Sequence, residues 1–260
     1  MSGFLSWLFG RPNNQARIDA GIALHRAGDH AGAERVFREL LADAERRQDL
    51  DLQRTALVNL AAALIAQRRQ DEAEPLLRHT VELARAQGFE RGAATALYNL
   101  AWRAFLEQDF DDAARLTAEA HAAAGAEPPF DMGVVLGLMD ARLATRHGLF
   151  EVGRFALGRA AAALPTCRDP DLADQVQMAQ GILEYRAGQR AGLDLVLAGA
   201  AAVRVPDRQD LAARWLTGLA FLAEATGDQN AGQRLTAAAA GLARGPDFPT
   251  PERCASYLKA

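Results

Sequence analysis

Three aromatic residues of this 260-residue chain, Tyr98, Trp102 and Phe105, are spaced by four and three, which puts them in one stripe along a helix. Tyr and Trp are favoured anchors at interfaces, so the stripe reads as a contact surface for a partner, or as packing against a neighbouring helix. Asn59 and Asn99 stand forty residues apart in matching contexts, and a side-chain amide offers both a donor and an acceptor to an extended backbone. Arg142 and Arg146 are one helical turn apart, with Arg186 forty residues beyond Arg146. Guanidiniums grouped in this way can hold a carboxylate bidentately, or simply form a solvated face.

Other reactive groups carry no pattern. His25 and His30 flank Gly28, and His79, His121 and His147 are scattered; no HExxH, GxSxG, phosphate loop or dinucleotide-binding turn is present, so neither catalysis nor a metal or other cofactor is expected. Cys167 and Cys254 are the only cysteines, too few for a stapled secreted domain and without metal-ligand spacing, which fits a reducing, cytoplasmic setting. A net charge of -4 and a pI near 5.8 leave no basic footprint for nucleic acid.

Residues that could recognise a partner need elements to hold them. The composition is 50% hydrophobic, only 7% aromatic and rich in Ala, Leu and Arg, all good helix formers, and predicts an all-helical protein. "ALVNLAAALIAQRRQDEAEPL" and "ALYNLAWRAFLEQDFDDAARL" are copies forty residues apart. Stepping by forty predicts helix hairpins with hinges at Gly28, Arg68, Gln108, Gly148, Gly188 and, one residue short, Gly227. Seven residues before these hinges stand Gly21, Ala61, Ala101, Ala141, Gly181 and Ala220; five after them stand Ala33, Ala73, Ala113, Gly153, the exception Leu193, and Gly232. Small residues on both helices predict a close approach within each hairpin. Four residues further on, Phe37, Leu77, Leu157 and Leu197, with Thr117 and Thr236, predict a second column on the same face. Asp140 and Gln180 break the apolar column of Leu60 and Leu100, and Glu184 replaces an apolar residue.

This hinge and small-residue pattern resembles the tetratricopeptide repeat, and "NLAAALIAQRRQDEAEPLLRHTVELA" resembles the longer variant found in kinesin light chains and related bacterial proteins. The resemblance covers residues 14 to about 245 and implies a right-handed alpha-alpha superhelix, a solenoid of about six hairpins. It implies that the first helices line a concave groove that takes a peptide or helix of a partner protein. The positions three, six and ten before each hinge would line it, among them Val58, Tyr98, Trp102, Phe105, Leu138, Arg142 and Tyr185, with Arg146 and Arg186 alongside. The resemblance also carries a backbone-clamping role onto Asn59 and Asn99. Hairpins that fill nearly the whole chain leave no room for a catalytic domain, so the expected function is that of a non-catalytic adaptor or scaffold, with self-assembly as the alternative.

The ends read differently. Residues 1–13, "MSGFLSWLFGRPN", put Phe4, Leu5 and Leu8 on one helical face with Trp7 and Phe9 beside them; they would cap the first hairpin, touch a partner, or lie at a membrane surface, the last disfavoured by the scarcity of positive charge. Residues 246–260 read as a Pro-rich joint and a short helix capping the other end, with Thr250 as N-cap, Pro251 at the first helical position, Glu252 in the first turn, and Tyr257 and Leu258 as packing contacts.

Overall fold

The computed structural model describes residues 14–259 apart from 127, 129, 130, 168, 170, 205, 246 and 247. Among the described residues every regular element is helical. The helices are α1 (Asn14–Arg26), α2 (His30–Arg47), α3 (Leu50–Ala66), α4 (Gln70–Ala86), α5 (Glu90–Glu107), α6 (Phe110–Ala124), α7 (Met132–Arg146), α8 (Phe150–Ala163), α9 (Leu172–Arg186), α10 (Ala191–Ala202), α11 (Pro206–Ala225), α12 (Gln229–Ala240) and α13 (Pro251–Ala255). A short 3₁₀ turn, Leu164–Thr166, follows α8. The chain divides into two compact units, Met1–Asn99 and Leu100–Ala260.

The hinges are built alike. Gly28, Arg68, Gln108, Gly148, Gly188 and Gly227 all have positive φ, between 63° and 87°. At each one the hinge N–H bonds the carbonyl three residues back, and the next N–H bonds the carbonyl five residues back at 2.8–2.9 Å, as Asp29 does to Leu24 and Asp228 to Ala223. That hydrogen-bond pair closes a helix through a left-handed residue and satisfies two of its last carbonyls. Three of the following helices are then started by an aspartate, Asp29, Asp109 or Asp228, whose carboxylate accepts the N–H of Gly32, Asp112 or Ala231. α4 carries Pro75 as its sixth residue, so the carbonyl of Asp71 loses its intrahelical donor there.

In the first unit α1 packs on α2, α2 on α3 and α3 on α4. Gly21 leaves space for Phe37, whose ring would lie 2.6 Å from an added Cβ, and Ala33, Ala61, Ala73 and Leu77 are fully buried. In the second unit α7 pairs with α8, α9 with α10, and α11 with α12. Val134, Leu138, Ala141, Leu157, Val176 and Leu183 belong to one core of α7, α8 and α9.

Two columns shift in the later hairpins. In the fifth the small contact comes from Gly192, not Leu193: an added Cβ would sit 2.3 Å from the Tyr185 nitrogen. The large-residue column moves with it to Val196 and, in the sixth hairpin, to Leu235, both fully buried, while Leu197 is half-buried and Thr236 exposed. In the fifth hairpin the second helix therefore meets its partner one residue earlier, whereas in the sixth only the large-residue position moves and Gly232 keeps its place against Glu224.

The polar intrusions are paired or solvated. His121 Nε2 lies 2.8 Å from Asp140 Oδ2, joining α6 to α7. Arg154 donates through Nε and Nη2 to the two oxygens of Glu184 at 2.8 and 2.7 Å, joining α8 to α9. Gln180 faces solvent. The carboxylates thus supply directional links between successive hairpins where the earlier copies use apolar contact.

Candidate functional site

The residues expected to touch a partner fall in both units. In the first, Val58, Asn59, Tyr98 and Asn99 are half-buried. Asn59 Nδ2 donates to the Thr55 carbonyl in its own helix at 2.8 Å. In the second unit, Phe105, Arg146 and Arg186 converge on one feature, the segment 250–259, while Trp102 and Arg142 stand behind them.

That segment begins as the sequence suggests. Thr250 is extended and its side chain accepts the Arg253 N–H, Pro251 opens α13, and Glu252 stands in the first turn. It does not cap the end of a stack. α13 packs along α11, and the residues after it reach α5, α7 and α9, so the segment lies across the first helices of four hairpins. Gly218 admits it: an added Cβ would stand 2.6 Å from the Cys254 oxygen and 2.7 Å from its carbon. Gly218 occupies the column that holds asparagine at Asn59 and Asn99. A backbone takes the space of the missing side chain.

Tyr257 is the centre of the contact. Its ring lies 5.6 Å from Phe105, 6.2 Å from Trp215 and 6.3 Å from Phe110, the last two edge-on, an arrangement that aromatic quadrupoles favour. The Tyr257 hydroxyl donates to the Leu106 carbonyl at 2.8 Å, one of the last-turn carbonyls of α5 that has no donor within the helix. Phe105 is fully buried, and Cys254, Ala255 and Leu258 retain at most 1% of their exposure.

The arginines hold the segment by its main chain. Arg146 donates through Nη1 to the carbonyls of Ser256 and Lys259, and Arg186 Nη1 donates to that of Leu258. Gln108 Nε2 reaches the Arg253 carbonyl at 3.3 Å. The Arg146 guanidinium also covers the Phe110 ring at 3.7 Å. Among the described residues neither Arg146 nor Arg186 has a carboxylate within ion-pair distance, and burial lowers the pKa of both guanidiniums. Arg142 differs. It lies over Trp102 at 5.2 Å and over Trp215 at 5.8 Å, and bonds Gln175 at 3.3 Å, while Trp102 stacks on Phe105.

Beside Leu258 opens a cleft of about 340 Å³, solvent included, between α7, α9 and α11, lined by Arg142, Thr145, Gln175, Met178, Ile182 and Trp215 among others. The buried Trp215 Nε1 finds no hydrogen-bond partner among the described residues. Trp215 and Phe110 belong to this contact, and repeat counting passes over both. Trp215 lies twelve residues before its hinge, beyond the inward set, and Phe110 two residues after one.

Two expected lining residues lie elsewhere. Leu138 keeps 1% exposure in the core of α7, α8 and α9, because the helix turns that position toward its partner helices. Tyr185 is half-buried and donates to Asp228 at 3.3 Å across to the sixth hairpin. Phe4, Leu5, Trp7, Leu8 and Phe9 fall outside the described residues.

The Cys167 thiol, bonded to Asp131 and to the Asp169 carbonyl, and the Cys254 thiol are both pushed up to about 11, chiefly by burial, which suppresses thiolate formation. Among the described residues no group of His, Cys, Asp and Glu is placed to hold a metal ion, and no helix is long and apolar enough to cross a membrane. No protein-family model, curated relative or solved structure matches the chain.

Proposed function

We propose that this protein is a non-catalytic adaptor of the tetratricopeptide-repeat kind, a right-handed solenoid of six hairpins that binds a peptide or short helix of a partner protein along its first helices, in the cytoplasm. The observation that carries this reading is the segment 250–259. A short stretch of polypeptide lies on side chains whose types and spacing suit peptide binding, with an aromatic anchor in an aromatic site and carbonyls on guanidiniums. The recurrent hinge geometry and the small residues at matching depth support the repeat assignment. Neither a cofactor nor a nucleic acid has a place in this reading, and the role of Asn59 and Asn99 as backbone clamps rests on the family resemblance.

The test is capture from lysate by the wild-type chain beside Trp102→Ala and Arg146→Ala variants of verified thermal stability. A partner held by the wild type should bind the Trp102→Ala variant about 2 kcal/mol more weakly, as loss of an anchor costs. Identical sets of bound proteins, at equal affinity, would refute the assignment of the site.

A second reading, self-assembly, has one observation in its favour. Leu149, Val152 and Phe155 recur every three residues at the start of α8 and remain 54%, 55% and 69% exposed. Sedimentation of the wild type and of Phe155→Asp separates the two: assembly requires an oligomer that the substitution disperses, whereas an adaptor acting alone stays monomeric in both.

A further inference from the structure

We propose that segment 250–259 is an intramolecular stand-in for the partner, and that the partner is a segment that sets an aromatic ring in the Tyr257 site and a carboxylate on Arg146 and Arg186. This rests on the reading of these first helices as a peptide site and says what the site selects and what keeps it closed.

The shape of the bound segment defines the first requirement. Phe105, Phe110 and Trp215 surround one ring, and the open carbonyl of Leu106 meets its hydroxyl. A phenol satisfies both features. The charge defines the second. Arg146 and Arg186 are partly buried cations whose acceptors among the described residues are neutral carbonyls of the segment itself. A carboxylate in their place adds opposite charge and a bidentate geometry that a carbonyl lacks, so an acidic competitor gains over the resident segment at this position. Segment 250–259 offers Lys259 there, with its ammonium turned over the Phe221 ring at 5.9 Å. It satisfies the aromatic requirement, and its described residues bring no carboxylate to the two guanidiniums. That is the composition of an occupant held well enough to close the site and weakly enough to be exchanged.

Cys254 reports the exchange. It is fully buried under the segment's contact with α11, so a thiol reagent reaches it when the segment leaves. The experiment uses the full chain with Cys167→Ser, so that Cys254 is the only thiol, and follows the labelling rate as peptide is added. The probes are a fluorescein-labelled peptide of residues 250–259 with an amidated C-terminus and serine for its cysteine, and the same amidated peptide with the Lys259→Glu change.

Both peptides should bind by anisotropy and raise the Cys254 labelling rate, the glutamate form at a concentration at least tenfold lower. Tyr257→Ala in the chain should raise the rate tenfold or more without peptide and tighten peptide binding. Gly218→Ala should do the same while leaving the segment's own sequence intact; its added methyl collides with the Cys254 backbone yet favours the α11 helix, which separates release from unfolding. Binding with no change in labelling, or equal affinity for wild type and the Gly218→Ala chain, would overturn the stand-in while leaving a peptide site elsewhere. Equal potency of the two peptides would overturn the acidic requirement. Absence of binding to every chain, each still folded by circular dichroism, would remove the peptide site itself.

Discussion

Gly188 has a φ of 87° and open space around the place a Cβ would occupy, whereas Ala61 sits fully buried in the second hairpin. The two small residues are small for different reasons. At Gly188 the constraint is backbone conformation alone, so Gly188→Ala should lower stability by about 1 kcal/mol with no clash to relieve, a loss that urea titration would read as a shifted midpoint at unchanged slope. At Ala61 the constraint is volume, and Ala61→Leu should cost about 1–3 kcal/mol through overpacking. If the Ala61 variant melts with the wild type, the close approach of α3 and α4 is not there. Arg68 and Gln108 adopt the same left-handed geometry without being glycine, which shows that the hinge hydrogen bonds, rather than residue type, decide the conformation.

At the scale of elements, carboxylates tie hairpin to hairpin. Glu34 is raised by burial, but hydrogen bonds from Gln67, Arg38 and Arg69 outweigh that and hold it below the ordinary value. Within the first hairpin Arg17 does the same to Asp43, and between the fourth and fifth Arg154 does so to Glu184. A carboxyl whose pKa is depressed by folding stabilises the native state above its unfolded pKa, near 4, and loses that contribution as pH falls through the folded value. Thermal stability should therefore be level from about pH 7 to 5 and fall below about pH 4, and Glu184→Gln should flatten part of that fall in scanning calorimetry. The helices and all six hinges were legible in the sequence because the forty-residue period repeats a backbone geometry at each hinge. The one-residue shift at Gly192 was not legible, since a glycine next to a leucine satisfies either register until packing chooses. Nor were the partners of Asp140 and Glu184, which stand on neighbouring helices at separations that the repeat does not encode. In the candidate site the arginine group and the aromatic pair Trp102 and Phe105 could be read from spacing. Their meeting with Tyr257 could not, because a contact across roughly 150 residues leaves no periodic trace.

For the whole molecule, what matters is that the second unit carries its own polypeptide over the first helices of four hairpins. A chain that only stacks hairpins would have left Phe105 and Trp215 facing water. Here both are covered by a segment joined to α12 through residues 241–249, only nine residues long. Such a tether confines the segment to an effective concentration of millimolar order. A soluble competitor of equal intrinsic strength must therefore approach that concentration before it prevails, and titrations on the intact chain report an affinity discounted by the tether. The same arithmetic favours ligands that bring a second attachment point of their own, because only another short link can match the local crowding that nine residues impose.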